Sequence, residues 1–298
     1  MIDVHINSRS EVADGPQRDG VQAVPVAAVA GIECREKWDH VAVEEPLAIQ
    51  LISGPLRDRQ RITISVTMRT PGHDADLAAG LLLSEGIVHE RNQILAIDAR
   101  GVNQVRVDLH PDVPVDHSRL DRRGYTSSSC GVCGKTSIDA VEVACDGPRT
   151  GGSPILADVV HALPERLREA QPAFASTGGL HAAALFDCGG QLLSIREDVG
   201  RHNAVDKLLG AELLAGRLPL AERLLFVSGR ASFELVQKAS IAGVPLFAAV
   251  GAPSSLAVQL AQRFGVTLLG FVRDGRFNVY AGVERIGLEE RGGGRHGP

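Results

Sequence analysis

What this sequence has little of narrows its class. Cys34, Cys130, Cys133, Cys145 and Cys188 are an odd, scattered set in 298 residues. They are too sparse for a disulfide scaffold and point to a reducing, cytoplasmic compartment. Positive charge is not in excess either, since 31 Lys and Arg against 36 Asp and Glu leave a net charge of −5. Nothing in that balance favours wrapping nucleic acid or lying on anionic lipid, so an anion site must be local. No run approaches the ~18 apolar residues of a membrane span. The apolar stretch 23–32 is preceded by Asp3, Glu11, Asp14 and Asp19 instead of basic residues and is interrupted by Pro25, so it does not read as a signal peptide.

What is present suffices for a folded protein of two domains, with 44% hydrophobic residues in the chain. Residues 1–30 and 286–298 read as flexible tails. In residues 31–125, Ile62, Ile64, Val66 and Met68 alternate with polar residues as a half-buried strand does. After Pro71-Gly72, acidic Asp74 and Asp76 open a helix that Gly86 releases. Val105, Val107 and Leu109 alternate again and pair with residues 94–98 through a turn at Arg100-Gly101. This front domain is α+β. Residues 126–150 form a cysteine loop and linker within a stretch that has no periodicity, and such loops are usually functional or disordered.

Residues 151–285 read as an α/β domain. Ser153-Pro154 is the start signal of a helix that Pro164 ends or kinks. Residues 182–186 and 192–195 flank a hairpin signal at Asp187-Cys188-Gly189-Gly190. Helices over 203–214, 232–242 and 254–264 then alternate with strands over 224–227, 245–250 and 267–272, which predicts a parallel sheet covered on both faces.

In such a sheet ligands bind beyond the carboxyl ends of the strands. Ser228-Gly229-Arg230 follows one strand, Gly251 to Ser255 the next, and Arg273-Asp274-Gly275-Arg276 the third. Helix N-termini and arginine forks there suit phosphate. Asp-Gly is also a common hairpin signal, so the last segment has a plain structural reading too. His181 and His202 lie in polar segments beside apolar strands, and Asp198 is placed to cap the helix beginning near Asn203.

The spacing of Cys130 and Cys133 fits three chemistries: metal binding, a redox disulfide, or carriage of sulfur. Four-ligand zinc would need partners that Cys145 and Cys188 supply only singly. No histidine has Glu two residues on and Ser129 precedes Cys130, so the zinc-deaminase signature fails. A thioredoxin-like pair would sit at an early strand-to-helix junction. Gly131 and Gly134 leave the sulfurs open, residues 127–129 supply hydroxyls, and Lys135 is a cation able to favour thiolate.

The ordered segments Arg69-Thr70-Pro71-Gly72 to Ser84-Glu85-Gly86, Ser129-Cys130-Gly131-Val132-Cys133-Gly134-Lys135, Thr177-Gly178-Gly179-Leu180-His181, Asp198-Val199-Gly200-Arg201-His202-Asn203 and Phe271-Val272-Arg273-Asp274-Gly275-Arg276 resemble the formate dehydrogenase accessory sulfurtransferase family over roughly residues 44–282. The resemblance implies a sulfurtransferase that accepts persulfide sulfur from a cysteine desulfurase. It would pass that sulfur to the molybdenum bis(molybdopterin guanine dinucleotide) cofactor required by formate dehydrogenase. Carried over by position, Cys130 bears the persulfide with Cys133 assisting, and Phe271, Val272, Arg273, Asp274, Gly275 and Arg276 match the cofactor-contacting segment. Ser228, Gly229 and Arg230 join them from the strand-end argument. The resemblance further implies a cytidine-deaminase-like rear domain, a homodimer, no permanent metal, and no nucleic-acid or membrane partner.

Overall fold

The computed structural model describes residues 20–116 and 154–288. The Cys130 and Cys133 expectations therefore lie outside the described residues. From the front, the layers run sheet, helix, helices, sheet, helix. The front sheet has the order β4-β3-β6-β5, with β3 (Glu45–Ser53), β4 (Gln60–Arg69), β5 (Ile94–Gly101) and β6 (Gln104–Leu109). Its period-2 pattern buries Leu47, Ile49 and Leu51 from β3 and Val105, Val107 and Leu109 from β6. Helix α1 (Asp74–Ser84) covers this face, with Asp74 and Asp76 in its first turn as its dipole favours.

The rear sheet has the order β13-β12-β11-β10-β8-β9. Its strands are β8 (His181–Phe186), β9 (Leu192–Asp198), β10 (Leu224–Val227), β11 (Leu246–Ala249), β12 (Thr267–Arg273) and β13 (Arg276–Ala281). Only β10, β11 and β12 are mutually parallel. The expected parallel sheet is thus a mixed one, because the two hairpins, β8-β9 and β12-β13, flank the crossover strands with antiparallel neighbours. Helices α4 (Arg201–Leu214), α5 (Phe233–Ile241) and α6 (Ser255–Phe264) pack on the front-facing side, and α2 (Ala157–Glu169) on the other. A short helix α3 (Pro172–Thr177) leads into β8.

Four local expectations differ. Residues 21–30, read as tail, form β1 (Val21–Ala30), paired with β2 (Glu33–Ala42) in a ribbon of its own. The helix expected at Ser153-Pro154 begins at Ala157, because Ile155–Leu156 (β7) pairs with Ile286–Gly287 (β14), itself inside the expected C-terminal tail. Pro164 does not end α2: buried Val160, Leu163 and Leu167 anchor the helix on both sides of it. The turn between β5 and β6 falls at Val102-Asn103, where Asn103 adopts a left-handed φ of 52°.

The front sheet, the rear sheet and the helices between them share one apolar core. Leu77, Leu82 and Leu83 of α1 belong to the same buried cluster as Val205, Leu208 and Leu209 of α4 and Leu225 and Val227 of β10. Glycine makes the helix crossing possible. A Cβ on Gly80 would collide with the Asp206 carbonyl, and one on Gly210 with the Asp76 carbonyl.

Candidate functional site

The ends of the three parallel strands are laced side by side. Gly251 donates its N–H to the Gly229 carbonyl at 2.9 Å, and Phe271 donates to the Gly251 carbonyl at 3.1 Å. Ala231 and Ser254 bind across the same seam, Ala231 N–H to the Ala252 carbonyl at 3.1 Å and Ser254 N–H to the Ala231 carbonyl at 3.0 Å. The segments after β10 and β11 therefore lie together, with Phe271 of β12 bonded to them, while Arg273 to Arg276 form the tip of the β12-β13 hairpin. The glycines serve this lacing: a Cβ on Gly251 would sit 3.0 Å from the Gly229 oxygen, and one on Gly270 would sit 2.9 Å from Pro253 Cδ.

Each sequence-selected residue has a distinct setting. Ser228 continues the sheet, its N–H bonded to the Ala182 carbonyl at 3.0 Å and its Oγ accepting the Ala182 N–H at 2.9 Å. Val272 is fully buried in the core beneath the crevice. Asp274 and Gly275 carry φ of 54° and 67° in succession, the backbone of a tight hairpin turn, so the structural reading of Asp-Gly holds. That hairpin sets Arg273 directly opposite Arg276. Like charges so placed repel. The carboxylate closest to Arg273 in an ion pair is its neighbour Asp274, 4.0 Å away and largely exposed. The Arg273 guanidinium lies 5.7 Å over the ring of Phe271, which takes a left-handed φ of 55°. Arg230 and Arg276 are exposed.

A second group of side chains meets the crevice at Gly229. A Cβ there would touch His181 Nδ1 at 3.5 Å and Arg201 Cδ at 3.6 Å. Arg201 was not selected from the sequence, although it carries a signal: it is the first residue of α4, where the helix dipole disfavours a cation. Its Nε is buried without an acceptor among the described residues. Burial first, then the charges of Arg201 and His202, push the His181 imidazole below its ordinary pKa, so a neutral ring faces the cation. His202 is held by Glu234, Nε2 to Oε2 at 3.3 Å, with Ser232 Oγ at 3.4 Å, while its Nδ1 is buried and has no partner among the described residues. That hydrogen bond is the main reason the Glu234 carboxyl falls to about 2.

Asp198 does not cap α4 as expected, since the N-cap is Gly200 and no side chain bonds the first turn; the carboxylate is drawn into a buried junction instead. Fully buried, it accepts from Gly200 N at 2.8 Å, Thr70 N at 3.2 Å and Asn203 Nδ2 at 3.0 Å, and pairs with Lys207 Nζ at 2.7 Å. Lys207 also donates to the Thr70 carbonyl at 2.8 Å. The conspicuous Asp198 to Asn203 segment thus clamps the crevice to the front domain. Next to Thr70, Arg69 grips Asp74 at 2.9 and 3.0 Å and so ties the end of β4 to the start of α1. Among the described residues no group of three or more His, Cys, Asp or Glu stands close enough to hold a metal, and no helix is long and apolar enough to cross a membrane.

The mixed α/β layers are an architecture seen before. A solved formate dehydrogenase accessory protein from Desulfotalea psychrophila superposes with a TM-score of 0.70 at 27% identity, over 89% of this chain and 99% of that one. A protein named sulfur carrier protein FdhD from Streptomyces avermitilis is 49% identical over 261 residues, covering 84% of this chain and 90% of its own. One of the same name from Mycobacterium tuberculosis is 48% identical, covering 83% and 91%. The model of the FdhD/NarQ family matches residues 42–287, and the chain belongs to that family.

Proposed function

We propose that the chain is a sulfur carrier serving formate dehydrogenase, taking persulfide sulfur onto Cys130 and delivering it to a molybdenum bis(molybdopterin guanine dinucleotide) substrate at the strand-end crevice. The observation that carries this reading is the 49% identity over 84% of the chain to a protein named as a sulfur carrier. The donor is a cysteine desulfurase. The Cys130 thiolate attacks the outer sulfur of the desulfurase persulfide; the new S–S bond forms as the old one breaks, and the desulfurase cysteine leaves as thiolate. Cys133 assists release: its thiolate attacks the inner sulfur of the Cys130 persulfide, leaving a Cys130-Cys133 disulfide and expelling the outer sulfur as hydrosulfide to the acceptor.

The substrate's nucleotide ends suit the crevice. Arg273 and Arg276 stand opposed, with only the largely exposed Asp274 of their own turn as an ion-pair partner of Arg273 among the described residues, and Arg201 Nε is a buried donor lacking an acceptor among those residues. Pyrophosphate oxygens relieve both conditions, since guanidinium forks bind phosphate in pairs of hydrogen bonds. Phe271 and Gly275 shape the seat, and Ser228, Gly229 and Arg230 close it from β10. On this reading the rear domain is a cytidine-deaminase-like scaffold that binds a nucleotide without deaminating a base, in keeping with the missing H-x-E pair. The protein acts in the cytoplasm, where its thiols stay reduced.

Intact mass after incubation with desulfurase and cysteine tests the covalent step. The expected result is the gain of one sulfur atom, lost in Cys130→Ala, which also abolishes formate dehydrogenase activation while guanosine diphosphate binding persists. Stoichiometric zinc on the two cysteines, with no sulfur adduct, would instead make the protein a cofactor-carrying adaptor.

A further inference from the structure

Gly229 keeps a slot open in the crevice wall. A Cβ placed on it would stand 3.5 Å from His181 Nδ1 and 3.6 Å from Arg201 Cδ, so the glycine leaves room for an atom of ligand between those two side chains. Both neighbours are short of partners. Arg201 is half-buried with an Nε that meets no acceptor among the described residues, and the half-buried His181 ring makes no hydrogen bond among them. Charge reaches that ring from two elements. Helix α4 brings Arg201 and His202, the latter tied to Glu234, and β9 brings Asp198, which stands directly opposite His181 and is committed to Lys207. The turn after β10 presents only the uncharged backbone of Gly229. Burial and then the Arg201 charge hold the free ring neutral. An anion in the slot offsets that charge and offers the ring an acceptor.

We propose that His181 and Arg201 grip a pyrophosphate oxygen of the substrate across Gly229, and that His181 takes up a proton in doing so. The grip presupposes the strand-end crevice as the substrate's seat. The proton comes from water, no other bond forms or breaks, and the resulting imidazolium donates Nδ1–H to the oxygen. Charge-assisted hydrogen bonds of this kind are the strong ones. The sign of the pH dependence follows. The free ring titrates below its ordinary value of 6.5, and the bound ring, facing an anion, titrates higher. Between those two values binding is accompanied by protonation, so affinity falls by up to about tenfold for each unit that pH rises. Above the higher value the fall ends, because neither form of the protein then holds the proton.

The probe is diguanosine pyrophosphate, two guanosines joined 5′ to 5′, whose phosphates are each substituted twice and keep a fixed charge. Guanosine diphosphate is unsuitable here, because its terminal phosphate itself titrates at about pH 6. Calorimetric titration of the full chain at about pH 6.5, in buffers of different ionisation enthalpy, should count an uptake approaching one proton per probe bound. His181→Gln, whose amide still donates a hydrogen bond, should bind without that uptake and lose the fall in affinity with rising pH. Gly229→Ala meets its neighbours at ordinary contact distances, so it should keep the parent's thermal unfolding temperature while filling the slot and weakening binding about tenfold or more. Binding by the parent without proton uptake, uptake that survives His181→Gln, or full affinity in Gly229→Ala overturns the proposal and leaves the crevice as the substrate's seat. A parent chain that does not bind the probe at all overturns both.

Discussion

Lys207 sits mid-helix on α4 and Asp198 at the end of β9, both withdrawn from water, and each meets Thr70 of the front domain. Removing one partner strands a charge in the interior. Lys207→Met should therefore lower the unfolding free energy by about 3–5 kcal/mol, read from urea denaturation followed by far-UV circular dichroism. Two other residues contribute to the acid limb of stability. Glu234 is depressed from 4.5 to about 2, chiefly by the His202 hydrogen bond, so its contribution is complete above about 4.5 and is lost as pH falls toward 2. His181 is depressed from 6.5 by burial and by Arg201, so the unfolded chain takes up its proton first and stability falls as pH drops through that ordinary value. Urea midpoints measured against pH should decline in two stages, with His181→Gln removing the upper and Glu234→Gln the lower. Sequence reading marked Asp198, His181 and His202 as polar groups beside apolar strands. Their partners were invisible because Thr70, Arg201 and Glu234 meet them only through tertiary packing.

At the scale of elements, α1 and α4 cross so closely that Gly80 and Gly210 occupy space no side chain can share, and Ser84 Oγ reaches Asp206 Oδ1 at 2.7 Å across the seam. Glycine inside a helix ordinarily costs stability relative to alanine. Here the sign reverses: Gly80→Ala and Gly210→Ala should each destabilise by about 1–3 kcal/mol or more, because the obstacle is backbone that cannot rotate away. Thermal unfolding of the two variants against the parent checks this. Helix α6 announced itself locally: Ser254 Oγ accepts the Ala257 N–H and Gly265 closes the end with φ 64°, whereas the short α3 carried no periodic signal. The β1-β2 ribbon did not announce itself either. Periodicity betrays a strand only when one face is buried, and this ribbon buries neither for most of its length. The three parallel strands were legible as short apolar runs between helices, whereas the direction of their neighbours depended on hairpins that a tally of alternating elements overlooks.

Over the whole molecule, the strand-end crevice rests on a core that runs continuously from the front sheet into β10, β11 and β12. Its location was legible because β/α alternation fixes which turns lie together. Its chemistry was legible only in part: Val272 proved to be core and Ser228 ladder, while Arg201 entered from a helix start. Electrostatics sharpen what remains. The chain carries a net charge of −5, so attraction of a phosphate-rich substrate comes from the local arginines and is opposed by the molecule at large. Guanosine diphosphate affinity should fall as salt rises, since exposed Arg230, Arg273 and Arg276 are screened within roughly 10 Å at 0.1 M. Arg273→Ala and Arg276→Ala should each weaken binding about tenfold, corresponding to loss of one charge-assisted contact. Each should also relieve the repulsion across the hairpin, so the unliganded protein gains or keeps stability while the complex loses it. Calorimetric titration paired with thermal unfolding of the unliganded variants separates those two effects. Unchanged affinity would mean that the opposed arginines serve another surface.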